Sequence, residues 1–116
     1  MHFKETDVWN RAMEAAIGVY RLTKLLPRQE VYGMRSQLTR AAVSIPSNIA
    51  EGWTRESARD KAHFLAIAHG STSEVETQLM LCERLGWFPV HATLPVHASL
   101  DEVSRMLTAL RRRLRR

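Results

Sequence analysis

Residues 29–52 read QEVYGMRSQLTRAAVSIPSNIAEG and are the clearest guide to the architecture. Pro46 interrupts the stretch, which predicts either one kinked helix over residues 29–51 or two shorter helices meeting at residues 44–47. We favour the kinked helix, because the apolar spacing continues beyond the proline. Gly52 is expected to cap its C-terminus. The apolar residues recur three or four positions apart, as on one helix face: Val31, Met34, Leu38, Ala41, Ile45 and either Asn48 or Ile49.

Two further segments, the first and third of the chain, carry the same helical spacing. The first covers residues 5–26, with Thr6 or Asp7 as its N-terminal cap and Pro27 directly beyond its end. The third covers residues 57–85 and is followed by Gly86. Gly70 lies inside the third segment, where a glycine costs about 1 kcal/mol relative to alanine, so a close helix approach is expected there.

The last helical segment is predicted from residue 96 into the arginine-rich end, after a loop that includes residues 87–95. Ser99 or Asp101 could cap its start. Its apolar residues form a heptad seam: Val96, Leu100, Val103, Leu107, Leu110 and Leu114. Four amphipathic helices joined by short loops predict an all-α fold, an antiparallel up-down four-helix bundle. Residues 1–116 are expected to form one domain with a basic C-terminal end at residues 111–116.

Composition excludes several classes of protein. The 116 residues are 45% hydrophobic and 25% charged, a globular balance. The longest apolar runs, such as residues 79–82, fall far short of the about 20 residues that span a membrane, so no membrane association is expected. The N-terminus lacks a secretory apolar core, and the single cysteine, Cys82, cannot form an intrachain disulfide. A cytoplasmic location is therefore expected.

The net charge of +5 has a local origin. Without five arginines near the C-terminus, twelve basic residues face twelve acidic ones. Such a tail can bind RNA or DNA phosphates through counterion release. The alternative is structural, because arginines at a helix C-terminus complement the macrodipole and aid solubility. The five residues are Arg111, Arg112, Arg113, Arg115 and Arg116.

No pattern of catalytic or metal-binding residues emerges. Cys82 lies on the apolar stripe of the third segment, where a free cysteine usually acts as a small buried hydrophobe. His63 and His69 are six residues apart, about 240° around a helix, so they do not share a face. His91 and His97 fall in or near the predicted last loop. We therefore expect no enzyme activity, no metal and no cofactor.

Polar residues near the apolar stripes are unusual. Asn48 and Glu51 lie on the second segment, while Ser71, Glu74 and Gln78 share one face of the third. The favoured interpretation is a hydrogen-bond network between helices that fixes their register. The alternative is a small-ligand site.

Large apolar residues exceed what one small bundle can hide. The first segment carries a second stripe beside its main one, and aromatic residues cluster near helix ends. Such surplus surface predicts an oligomer. The second stripe is Trp9, Met13, Ala16 and Tyr20, and the other large aromatics assigned to the interface are Trp53, Trp87 and Phe88.

The part of the quoted stretch from Tyr32 to Gly52 closely resembles the signature of the four-helix bundle proteins known as 23S rRNA intervening-sequence proteins. The resemblance covers nearly the whole chain, although the fourth helix matches only in its apolar pattern and the arginine-rich end lies outside the signature. Further matches are DVW at 7–9, FL at 64–65, IA at 67–68, GS at 70–71, Glu74, ETQL at 76–79 and LG at 85–86.

The resemblance implies a bundle that assembles into a ring, a homopentamer. We therefore expect a closed assembly with head-to-tail contacts, because an odd-numbered ring cannot be built from two-fold contacts alone. The chain is also similar to the accessory variability determinant proteins of diversity-generating retroelements, which are basic pentamers that bind a reverse transcriptase and nucleic acid. No catalytic residues are implied. The matching polar positions carry over only as signature residues of unassigned role: Arg35, Arg40, Asn48, Glu51, Ser71 and Glu74.

These observations favour a non-enzymatic oligomeric scaffold that binds RNA or DNA through basic surface. Its candidate contacts are the five C-terminal arginines together with Arg35 and Arg40. The alternative is a protein-interaction module, an accessory subunit to an unidentified protein partner without nucleic-acid binding. A third hypothesis, a small-molecule or metal-binding bundle, has less support from the sequence.

Overall fold

A computed structural model of the chain describes residues 1–115. Four long helices make up most of this part: α1 (Asp7–Leu22), α2 (Met34–Thr54), α3 (Ala58–Arg84) and α4 (Val90–Leu114). Short 3₁₀ helices lie at Phe3–Glu5, Thr23–Leu25 and Arg28–Glu30. No strand occurs among residues 1–115, so the all-α prediction is confirmed.

Neighbouring helices make contacts that run in opposite directions along the two partners. Between α2 and α3, Ser44 Oγ lies 2.8 Å from Ser71 Oγ, while Gly52, later in α2, lies against Lys61, earlier in α3. The same reversal relates α1 to α4 (Arg11–Glu102, Gly18–Val96) and α3 to α4 (His69–Ser104, Glu83–His97). The helices pack in the cyclic order α1–α2–α3–α4, which is an antiparallel up-down bundle.

Each predicted apolar stripe supplies one wall of a single core. The α4 seam places Val96, Leu100, Val103 and Leu107 in the interior, and α2 contributes Leu38, Ala41, Ile45 and Ile49. Small residues on α1, including Ala12 and Ala15, let its neighbours approach closely. Leu110 and Leu114 at the end of the seam are only partly buried.

Two glycines mark the closest helix contacts. A Cβ on Gly18 would lie 2.7 Å from Val96 Cγ2, and a Cβ on Gly52 would lie 3.3 Å from the Lys61 carbonyl oxygen. Gly70, in contrast, has nothing within 4 Å of its Cβ position, so the predicted close approach at Gly70 is wrong. Backbone spacing between neighbouring helices, and not helix propensity, decides where a glycine is needed.

The structure settles the two alternatives for α2. Pro46 lies inside one continuous helix, which begins at Met34, later than predicted, after the Glu30 carboxylate accepts a hydrogen bond of 3.1 Å from the Met34 amide. The predicted Gly52 cap is wrong, because Gly52 is buried within the helix and Arg55 follows its end. The missing side chain of Gly52 makes room for α3.

Thr6, one of the two residues predicted to cap the first segment, caps α1, and Ser57 caps α3. Thr6 Oγ1 accepts a hydrogen bond of 3.3 Å from the Trp9 amide, and Ser57 Oγ accepts one of 3.0 Å from the Asp60 amide. α1 ends at Leu22, and the predicted final turn is 3₁₀. α3 ends just before a glycine, Gly86, with φ of 78°.

The start of α4 differs from the prediction. The helix begins at Val90 with Pro89 in extended conformation at its N-cap, so most of the predicted 87–95 loop is helical. Ser99 and Asp101 lie inside the helix and do not cap it. Pro95 is accommodated near the N-terminal end, where its missing amide leaves one carbonyl without an intrahelical bond. Burial of Thr93, one turn before the seam, favours this longer helix.

Candidate functional site

A polar cluster crosses the contact between α2 and α3. Ser44 Oγ and Ser71 Oγ are 2.8 Å apart, and Asn48 Nδ2 donates to both the Ser44 carbonyl oxygen at 2.8 Å and Ser44 Oγ at 2.9 Å. This confirms the predicted hydrogen-bond network between the helices at Asn48 and Ser71, but the prediction is wrong for Glu51, Glu74 and Gln78, which do not join it. Its central residue is Ser44, which the sequence analysis missed, although it lies four residues before Asn48.

The cluster closes one end of a polar cavity of about 380 Å³, here called the α2–α3 cavity. Gln78 is only 8% exposed, and its Oε1 is buried without a hydrogen-bond partner among the described residues. Arg40 Nη2 donates to Ser36 Oγ at 3.3 Å. The lining residues are Gln37, Arg40, Ala41 and Ser44 of α2 with Ser71, Glu74 and Gln78 of α3.

Not every predicted site residue joins this cavity. Glu51 points elsewhere and forms an exposed ion pair of 3.0 Å with Arg55. Arg35 lies on a different face of α2 from Arg40, so the two signature arginines do not form one site. Gln37 also lines the cavity, although it was not predicted to. Its spacing of four and seven residues from Ala41 and Ser44 places it on the same helix face and could have indicated this.

An apolar groove of about 690 Å³ lies along the outer side of α1 and α2. We call it the α1–α2 groove. The second stripe of the first helix lines it completely: Trp9, Met13, Ala16 and Tyr20. Ile17, Tyr20 and Val43 remain 47%, 48% and 42% exposed. Arg21, Lys24 and Arg35 add positive charge to its lining.

The other aromatic residues behave differently. Phe88 is only 2% exposed and belongs to the core, so its predicted place at an interface is wrong. Trp87 packs, partly buried, against the core. Trp53 Nε1 donates to the Met1 carbonyl oxygen at 3.1 Å, which fastens the N-terminus across the end of α2.

A second exposed apolar surface surrounds the connection between α3 and α4. We call it the α3–α4 turn patch: Leu81, Leu85, Val90 and Leu94. These side chains are 47% to 59% exposed. Leu81 and Leu85 are four residues apart at the end of α3, and Val90 and Leu94 are four residues apart at the start of α4, so each pair lies on one helix face.

Arg111, Arg112 and Arg113 lie in the last turn of α4, and Arg115 follows its end. Arg111 Nη1 lies 3.0 Å from His69 Nδ1, and His69 Nε2 lies 3.0 Å from Ser104 Oγ. Burial, and secondarily the Arg111 charge, lowers the pKa of His69 below its ordinary 6.5. Arg111 is thus held against α3. Arg112, Arg113 and Arg115 are exposed and form no ion pair within residues 1–115, and Arg116 lies outside the described residues.

Residues 1–115 contain neither an exposed cysteine nor a group of side chains arranged to bind a metal. Cys82 is fully buried, and burial raises the pKa of its thiol to about 11, which disfavours the reactive thiolate. His97 lies in α4, where its Nε2 is 3.2 Å from the Glu83 carboxylate that also accepts from the Thr93 hydroxyl. Across residues 1–115, no three His, Cys, Asp or Glu side chains are grouped to hold a metal. None of the helices described is both long and apolar enough to cross a membrane.

Comparison with known proteins gives the family. The model of the 23S rRNA-intervening sequence protein family matches residues 4–109. The chain belongs to this family. The match of the 23S rRNA-intervening sequence protein family stops before Arg111, so the five terminal arginines lie outside the shared region.

A crystal structure supports the same assignment. It comes from Bacteroides thetaiotaomicron and is described as a protein of unknown function from the S23 ribosomal protein family. The two chains are 26% identical, with a TM-score of 0.82 over 90% of this chain and 97% of the other. None of the curated proteins compared with the chain matches it. Membership in the 23S rRNA-intervening sequence protein family therefore fixes the fold, while the function rests on the surfaces described above.

Proposed function

We propose that this protein is a non-enzymatic oligomeric scaffold that binds RNA or DNA through its basic surface. The observation that carries the proposal is that one small bundle has exposed apolar surface at two places, the α1–α2 groove and the α3–α4 turn patch. Contiguous exposed apolar surface usually marks an interface. Two different surfaces suit a head-to-tail contact, in which the α3–α4 turn patch of one copy packs into the α1–α2 groove of the next.

Head-to-tail contacts close into rings when the rotation between copies permits. The homopentamer implied by the family resemblance is one such ring, because an odd-numbered ring cannot be built from two-fold contacts alone. Five copies, each with a net charge of +5, would carry about +25. Assembly thus converts a modestly basic chain into a multivalent surface for phosphates.

We assign the proposed nucleic-acid contact to the end of α4. Arg112, Arg113 and Arg115 are exposed there without described carboxylate partners, so they can contact phosphate without first breaking an ion pair. Arg111 is engaged by His69, and Arg35 lines the apolar groove. We therefore assign the main contact to the three exposed arginines and a lesser one to Arg111, Arg35 and Arg40.

The test is a fluorescence titration of structured RNA and duplex DNA over a range of salt concentrations. The double variant Arg112→Gln/Arg115→Gln is compared with Arg28→Gln/Arg84→Gln, which removes two exposed arginines from the other end of the bundle. If both residues contact DNA phosphates, the tail variant lowers the slope of log K against log salt by about 1.8, while the control leaves it unchanged. Binding that is independent of salt, or equally weakened in both variants, would contradict the proposal.

The second candidate function is an accessory subunit for a protein partner. The observation that favours it is the α3–α4 turn patch, whose apolar residues could receive a foreign protein instead of another copy. Absence of nucleic-acid binding at low salt, together with a single protein captured by the wild-type chain and lost with Leu85→Glu, supports this candidate over the first.

A further inference from the structure

The α2–α3 cavity is built from two facing rows of polar side chains. The contact between Ser44 and Ser71 sets the register of these antiparallel helices. Because the helices are antiparallel, one turn back along α2 from Ser44 and one turn forward along α3 from Ser71 places Arg40 opposite Glu74. A further turn brings Gln37 opposite Gln78. The serine pair therefore closes one end, the two charges face each other in the middle, and the glutamines stand at the far end.

The two charges face each other without pairing. Arg40 donates to Ser36 Oγ and lies beyond 4.0 Å from every described carboxylate. Glu74 is likewise without a hydrogen bond or ion pair within residues 1–115. Opposite charges that line one cavity and remain apart can be bridged by a molecule that presents an anion to one and a cation to the other.

The hydrogen-bond donors and acceptors of the α2–α3 cavity are divided in the same way as its positive and negative charges. Asn48 donates to Ser44 Oγ, so Ser44 can give its own hydrogen to Ser71, which leaves the Ser71 hydrogen free to donate. On the α3 wall, the exposed Glu74 carboxylate offers hydrogen-bond acceptors to the cavity. The cavity thus offers a donor at Ser71 and acceptors at Glu74.

We propose that the α2–α3 cavity binds a small zwitterion that carries one carboxylate and one ammonium group, as a free α-amino acid does. Arg40 and the Ser71 hydroxyl bind the carboxylate. The Glu74 carboxylate receives the ammonium group. The volume of about 380 Å³ is near the lower end of ligand cavities, which suits a molecule of this size. This site shares only Arg40 with the proposed nucleic-acid contact, whose main residues are the three exposed arginines at the end of α4.

The test screens the free L-amino acids singly against the full chain by ligand-observed NMR, followed by calorimetric titration of those that bind. At least one amino acid is expected to bind saturably. Its decarboxylated amine and its deaminated acid should each bind at least tenfold more weakly, because each lacks one of the two charges. Failure of every amino acid to bind, or an amine that binds as well as its parent, would overturn the proposal.

Variants then locate the site. Arg40→Gln and Glu74→Gln should each weaken binding at least tenfold. Arg35→Gln is the matched control, since it removes an exposed arginine from the same helix but on the groove side. Circular dichroism verifies that each variant is folded. Binding that survives Arg40→Gln, or that Arg35→Gln weakens equally, would place the ligand elsewhere and overturn the assignment.

Discussion

Replacing Gln78 by methionine should stabilise the protein in the absence of any ligand. Gln78 is 8% exposed, and its Oε1 has no hydrogen-bond partner within the described residues. An unpaired buried polar group costs about 1–3 kcal/mol. Methionine is similar in length, unbranched and nearly equal in helix propensity, so it removes this cost with little change in packing. We expect the free energy of unfolding to rise by about 1–2 kcal/mol, which corresponds to a rise of about 4–8 °C in Tm.

The measurement is urea denaturation of wild type and Gln78→Met at one protein concentration, because assembly makes apparent stability depend on concentration. Gln37→Met is the matched control: the same chemical change is made on the opposite wall of the cavity at an exposed residue. It should alter stability by less than about 0.5 kcal/mol. A Gln78→Met protein that is no more stable than wild type would show that the amide oxygen is already satisfied in solution, and the reasoning would fail.

Three other perturbations follow from the packing. Lowering the pH from 7 to 5 should reduce the free energy of unfolding. Burial and Arg111 lower the pKa of His69 in the folded protein, so below about pH 6.5 the unfolded chain binds the proton more readily. Urea titrations should show a smaller loss of stability in His69→Gln than in wild type, and an equal loss would refute this. Gly18→Ala should destabilise the bundle, since overpacking against Val96 costs about 1–3 kcal/mol and exceeds the gain of about 1 kcal/mol in helix propensity. Adding Val96→Ala should recover part of the stability lost to Gly18→Ala. If Gly18→Ala alone stabilises the protein, α1 and α4 can move apart at no cost, and the reasoning is wrong. Ile17→Glu should yield smaller but still helical species by light scattering and circular dichroism, whereas unchanged mass would remove the α1–α2 groove from the interface.

Helices were the most predictable feature of the sequence, because spacing of three and four along the chain encodes a buried face directly. The α4 seam from Val96 to Leu107 is buried as expected. Boundaries were harder to predict where proline or glycine suggested a break. Pro95 and Gly52 both lie inside helices, since neighbouring helices supply enough packing to outweigh their local preferences.

The candidate site was only partly visible in the sequence. The face shared by Ser71, Glu74 and Gln78 follows from helical periodicity alone. Their partners on α2 depend on the register between two helices, which no local pattern specifies. The Arg111–His69 contact likewise joins residues 42 positions apart and had no sequence signal. The sequence could predict which residues share a face of one helix. It could not predict which faces of different helices contact each other.

The most direct test of the scaffold proposal is the mass of the intact protein in dilute solution, measured by light scattering at micromolar concentration. A closed head-to-tail ring predicts one discrete species at a multiple of 13.3 kDa, and the pentamer implied by the family resemblance would have a mass of about 66 kDa. A stable monomer of 13.3 kDa would contradict assembly through the two apolar surfaces, and a dimer would contradict the ring.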